Sequence, residues 1–135
     1  MDALIYMKLY LLTVPVFFAI DLLWLGLIAK GLYQRNLAHL LSPQVNWGAA
    51  IVFYLIYIAG IILFAVRPGL GQQSLAKAAI WGALFGFFTY ATYDLTNLAT
   101  LREWPVKIVV VDVAWGTLLC TLVASTSYLM GRWLG

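Results

Sequence analysis

Apolar positions in this chain fall into four long runs, at about 9–29, 46–66, 77–101 and 108–130. A helix needs about 20 residues to cross a hydrocarbon core of about 30 Å, and each run is long enough. Lys8 and Lys30 flank the first run, and Pro15 inside it predicts a kink of a kind that membrane helices tolerate. Arg67-Pro68-Gly69 reads as a stop after the second run, Trp104-Pro105 introduces the fourth, and Gly131-Arg132 closes it. The pattern predicts an all-α, polytopic four-helix bundle, one membrane domain over residues 1–135.

Between the first two runs, segment 31–45 is too polar to span. Its apolar residues Leu32, Tyr33, Leu37, Leu40 and Leu41 recur at helical spacing, which predicts a short amphipathic helix lying in the interface. The first run is too long for a signal peptide, contains Asp21 and lacks a cleavage pattern, so it is expected to remain as a span.

Composition sharpens this picture. The chain is 64% hydrophobic and 10% charged, whereas an average soluble domain is about 45–50% apolar and about 25% charged. Its net charge of +3 comes from scattered lysines and arginines, with no basic run suited to nucleic acid. Four spans put both termini on one face. Lys8, Arg67, Lys77 and Arg132 lie there, and Lys30, Arg35, Arg102 and Lys107 lie opposite. The positive-inside rule counts these residues, and the counts tie. Tyr6, Tyr10, Trp81 and Trp133 at one face, with Tyr33, Trp47 and Trp104 at the other, read as interfacial aromatic belts. Cys120 is the only cysteine and reads as a small apolar packing residue.

Candidate chemistry lies in the exceptions to the apolar runs. A charge at the centre of a span costs roughly 2.5–3.5 kcal/mol, so membrane-level acids are functional candidates. Asp21, Asp94 and Asp112 all fall in the half of the membrane nearest 31–45 and 102–107. A two-residue boundary error moves each by only about 3 Å. Gly86, Tyr90, Asp94 and Asn97 share one face of the third run, and Asp112, Trp115 and Gly116 share one of the fourth. Asp21-Leu-Leu-Trp24 and Asp112-Val-Ala-Trp115 echo each other, each with an aromatic one turn from an acid.

These features predict one polar pocket. Asp94, Asp21 and Asp112 are its catalytic candidates, with Asn97 orienting Asp94. Tyr90, Tyr93, Trp24, Trp115, Arg102 and His39 are candidate binding residues. Carboxyls crowded in a low dielectric are not expected all to ionise, which suits a general acid or a proton relay. Plainer uses stand beside this reading. Asp112 could be a solvated helix-start residue, Asp21 could pair with Lys30 or Arg35, and Asp94 with Asn97 could make a structural interhelical hydrogen bond. His39 could be an ordinary interfacial residue, and Tyr90 and Tyr93 could be packing aromatics.

Oxygen ligands suited to magnesium, manganese or calcium are present, but no acidic pair at ligand spacing within one helix supports a metal, and no cofactor motif is present. Gly82 and Gly86 form a GxxxG pair that could seat a second copy or another span of the same chain.

Across Thr92-Tyr93-Asp94-Leu95-Thr96-Asn97, Trp104-Pro105, Asp112-Val-Ala-Trp115-Gly116 and Asp21-Leu-Leu-Trp24-Leu, the chain resembles a family of small bacterial four-span membrane proteins known only as a domain of unknown function. The resemblance implies a multi-pass protein of the bacterial inner membrane and brings no activity or catalytic residue with it. The residues themselves favour binding or modification of a lipid-like or hydrophobic small molecule. The alternatives are an oligomeric proton-coupled transporter or channel subunit, and a structural subunit of a membrane complex.

Overall fold

The computed structural model describes residues 2–135. Among them are five helices and no strand: α1 (Ala3–Ile28), α2 (Lys30–Leu37), α3 (Trp47–Gly71), α4 (Leu75–Thr100) and α5 (Val106–Leu134). Three of them, α1, α3 and α5, are long and apolar enough to cross a membrane. Helix α4 has the length, at 26 residues, but its Lys77, Asp94, Asn97, threonines and tyrosines make it more polar.

Local chemistry sets the ends. Asp2, Asn46 and Ser74 cap α1, α3 and α4 by accepting hydrogen bonds from the amides of Ile5, Ala49 and Lys77 at 2.9, 3.1 and 3.0 Å. Pro105 stands at the N-cap of α5. Arg67-Pro68-Gly69 does not stop the second apolar helix, which continues to Gly71. A proline ring crowds the carbonyl four residues back. Here the preceding turn, Ile62–Val66, widens to π geometry, with the Arg67 amide reaching Ile62 O, and gives the ring room. The stop comes four residues later. Gln73 takes φ 51°, and Ser74 N bonds Gly69 O at 2.9 Å while Gln73 N bonds Leu70 O at 3.2 Å. This is a Schellman close with glutamine in the left-handed position glycine usually fills.

The closest helix pair is the α4–α5 hairpin. A Cβ built on Gly82 would lie 2.6 Å from Cys120 O and 2.7 Å from Ala124 Cβ, and one on Gly86 would overlap Gly116 O. The GxxxG pair is therefore used inside the chain, where the absent side chains let two backbones meet. Helix α1 crosses α5 with Leu9, Thr13 and Phe17 fully buried, and Thr13 Oγ1 meets Ser127 Oγ at 2.8 Å. The C-terminal half of α3 fills the remaining space with Ile58, Ile61, Ile62, Ala65 and Val66.

The outside of the bundle is apolar. Leu11, Leu27, Ile56, Val110 and Trp133 are all more than half exposed, the inverse of a surface built for water.

Helix α2 packs against the bundle along its apolar face. Its Leu37 is buried with Trp104, Ile108 and Val109, and Leu32 and Tyr33 pack on that cluster. The helix ends at Leu37, so Leu40 and Leu41 lie beyond it and are exposed. Trp104, expected in an aromatic belt, is instead 9% exposed inside this cluster.

Close backbone approach makes a sharp prediction. Gly116→Ala would drive a methyl into the Tyr90 ring, whereas Gly26 has nothing within 4 Å of its Cβ position. Overpacking costs about 1–3 kcal/mol, so G116A should lower the melting temperature of detergent-solubilised protein by several degrees, with G26A within error of the parent.

Candidate functional site

Glycine contact sets the register of the α4–α5 hairpin, and the register places the acids. Gly82, Gly86, Tyr90 and Asp94 descend one face of α4 at four-residue steps. Ala124, Cys120, Gly116 and Asp112 descend the facing stripe of α5 in the opposite direction. Gly86 meets Gly116, the Tyr90 ring covers Gly116, and one step further Asp94 meets Asp112 within hydrogen-bonding reach. Asp94 is 0% exposed, and neither of its oxygens finds a donor. Ionised carboxylates only accept hydrogen bonds. This pair can bond only by sharing a proton.

The echo between Asp21-x-x-Trp24 and Asp112-x-x-Trp115 acquires a meaning in three dimensions. Helices α1 and α5 run antiparallel, so each tryptophan is carried towards the other helix's acid. Trp115 Nε1 donates to Asp21 Oδ1 at 3.2 Å. Trp24 Nε1 donates to Tyr33 Oη at 3.2 Å, and Tyr33 donates in turn to Asp112 Oδ1 at 2.7 Å. The two indoles stack between these bonds, 4.5 Å apart and 8° from parallel. Asp21 is 4% exposed, with the Tyr54 hydroxyl in its neighbourhood. The acids are thus a pair with a third member joined through aromatic side chains, all at one level of the bundle. A turn of π-helix, Trp24–Ile28, follows at once, closed by Ala29 N to Trp24 O at 2.7 Å. It hands the chain from α1 to α2 and so brings Tyr33 over Asp112.

Beside the pair lies a cleft of about 530 Å³ between α3 and α4, lined by Phe53, Tyr57, Thr89, Tyr90, Tyr93 and Asp112. Its walls are aromatic, and its one ionisable carboxyl is Asp112. Tyr57 Oη anchors the wall, 2.8 Å from Thr89 Oγ1 and 3.2 Å from Cys120 Sγ.

Not every expected site residue joins. Tyr90, Tyr93, Trp24 and Trp115 do. Asn97 does not orient Asp94, whose oxygens have no donor. Arg102 and Lys107 are exposed and do not reach the Asp94 oxygens. His39 is exposed and its Nε2 lies 3.0 Å from Glu103 O, tying the loop after α2 to the α4–α5 turn, where Glu103 takes φ 59°. Among the described residues no three His, Cys, Asp or Glu side chains are grouped closely enough to hold a metal.

Tyr33, Tyr54, Tyr57 and Trp104 were not expected here. Burial first, then the Asp112 charge, raises the Tyr33 phenol above its usual range, so it stays a donor at any physiological pH. Trp104 keeps its Nε1 buried without an acceptor, its ring edge-on to Tyr93 at 6.0 Å. Tyr33 and Trp104 carried a sequence signal as belt residues, Tyr33 also by its place on the apolar face of the 31–45 segment, whereas Tyr54 and Tyr57 carried none.

No match was found among curated proteins or among solved structures. Residues 6–129, which take in both Asp-x-x-Trp elements, the glycine stripe and the cleft, match a family described as a predicted membrane protein, DUF2177. The chain therefore belongs to this family of membrane proteins of unknown function.

Proposed function

We propose that this is a four-span protein of a bacterial inner membrane that binds or modifies a lipid-like or hydrophobic small molecule. The observation that carries the reading is the aromatic cleft between α3 and α4 that ends on Asp112. Sites between bundle helices commonly occupy about 300–1,000 Å³ and pair apolar walls with a few polar groups. The cleft has that size and that balance. Helix α4 is the fourth span in this reading. Its 26 residues reach about 39 Å at 1.5 Å per residue, more than the hydrocarbon core needs. Asp94 faces α5, Thr89, Tyr90 and Tyr93 line the cleft, and the exposed Thr92, Thr96 and Thr100 bond their hydroxyls to carbonyls of their own helix.

In this arrangement a ligand enters sideways from the bilayer, its apolar body against Phe53, Tyr57 and Tyr93 and its polar end at Asp112. Asp94 sits behind as proton partner. A carboxyl pair that shares one proton can give it to a ligand or take one from it. The orienting role expected of Asn97 passes to Tyr33, which holds Asp112 at 2.7 Å.

A proton-coupled carrier acting as an oligomer is the second reading, favoured by the same pair. Proton flux in proteoliposomes that depends on substrate and disappears in Asp94→Asn would select it; ligand binding without flux would select the first.

Photoactivatable lipid in nanodiscs, mapped by mass spectrometry, tests the binding reading. Labels should concentrate on Phe53, Tyr57 and Tyr93, and Thr89→Trp, which fills the cleft, should cut them several-fold. Labelling spread evenly over Leu11, Leu27 and Ile56 would rule the cleft out. Tyr33→Phe removes the donor to Asp112 and the acceptor of Trp24 Nε1. A buried polar group left without its partner costs about 1–3 kcal/mol. Limited proteolysis should therefore cut the 38–46 loop faster in Y33F than in the parent.

A further inference from the structure

We infer that the polar end of the cleft selects a cation, so that the ligand is an amphiphile headed by a protonated amine. This deepens the proposed binding role of the cleft and rests on it. Two carboxyls stand at this end, Asp112 on the cleft wall and Asp94 behind it. No positive side chain answers them. Lys30, Arg35, Arg102 and Lys107, the cations at this end of the bundle, are all exposed. Asp94 is fully buried with both oxygens lacking a donor, and Asp112 receives a single one, from Tyr33.

Each class of head group meets this surface differently. A phosphate or sulfate would bring negative charge against two carboxyls in a low dielectric and be repelled. A hydroxyl offers one donor to several empty acceptors. An alkylammonium offers three donors and a positive charge. It replaces the shared proton as the group that holds the carboxyls together, and that proton leaves to solvent. Aromatic faces reinforce the choice. Tyr57, Tyr90 and Tyr93 line the approach, and an ammonium over an aromatic face is attracted by the ring's negative face, most strongly where water is excluded.

The test compares three probes with the same tail: dodecylammonium, dodecanol and dodecyl sulfate. Each is added at equal mole fraction to the full-length protein in zwitterionic nanodiscs, and each is scored by how far it suppresses photolipid labelling of the cleft. Dodecylammonium should reach half-suppression at a mole fraction at least tenfold below either competitor. Asp112→Asn and, separately, Asp94→Asn should bring the ammonium and alcohol curves together, with melting temperature and elution volume confirming that each variant is folded. Equal potency of ammonium and alcohol in the parent protein would overturn the cation assignment and leave the cleft as a binding site. Preference for the sulfate would overturn it with the opposite sign. If no probe lowers the labelling, or if the cleft is not labelled at all, the binding role itself fails and the inference falls with it.

Discussion

Close contact between glycines on α4 and backbone on α5 is the constraint on which the rest of the molecule depends. Side chains normally keep helix axes 8–10 Å apart. Gly82, Gly86 and Gly116 remove that spacer at successive turns. A contact of this kind admits one register, because any slip would put a Cβ where a carbonyl or a ring now sits. The register then dictates, two turns beyond Gly86, that Asp94 face Asp112. The acids do not come together through mutual attraction, which two carboxyls lack. They are brought together by small residues that have no chemistry of their own.

The surrounding structure makes that placement tolerable. Charged groups in lipid are expensive unless they are paired, protonated or bonded, and the bundle meets part of that cost with hydrogen bonds from aromatic side chains. Tyr33 supplies a donor to Asp112 and Trp115 supplies one to Asp21, while Asp94 lies fully buried beside Asp112 with no donor of its own. Each helix contributes something to this level. Helix α1 brings Asp21 and Trp24, α2 brings Tyr33, α3 brings Tyr54, α4 brings Asp94 and α5 brings Asp112 and Trp115. All five helices thus contribute to one polar centre.

Much of this was legible in the residues, and the parts that were not have physical reasons. The four-residue stripe from Gly86 to Asp94 and the repeated Asp-x-x-Trp could be read directly, because helical periodicity fixes which side chains share a face. Their common level followed from the lengths of the apolar runs. Periodicity within one helix carries no information about what another helix places opposite. Asn97 lies on the same stripe as Asp94, yet it gives the Asp94 oxygens no hydrogen bond. Tyr33 and Trp104 had the composition of belt residues and became internal because α2 folds back onto the start of α5. Helix α3 outruns the stop expected at Arg67-Pro68-Gly69 for another reason: a proline ends a regular helix, but a widened turn ahead of it lets the helix continue.

Tyr33 also gives the buried acids a link to the outside. Its phenol belongs to α2, which is followed by exposed chain at 38–46 and joined to the α4–α5 turn through His39 and Glu103. Drawing α2 away by one turn of helix, about 5 Å, would take the donor from Asp112 and the acceptor from Trp24 in a single movement. Whatever draws on that short helix is thus mechanically coupled, through one phenol, to the hydrogen bonds that hold Asp112 and Trp24 in place.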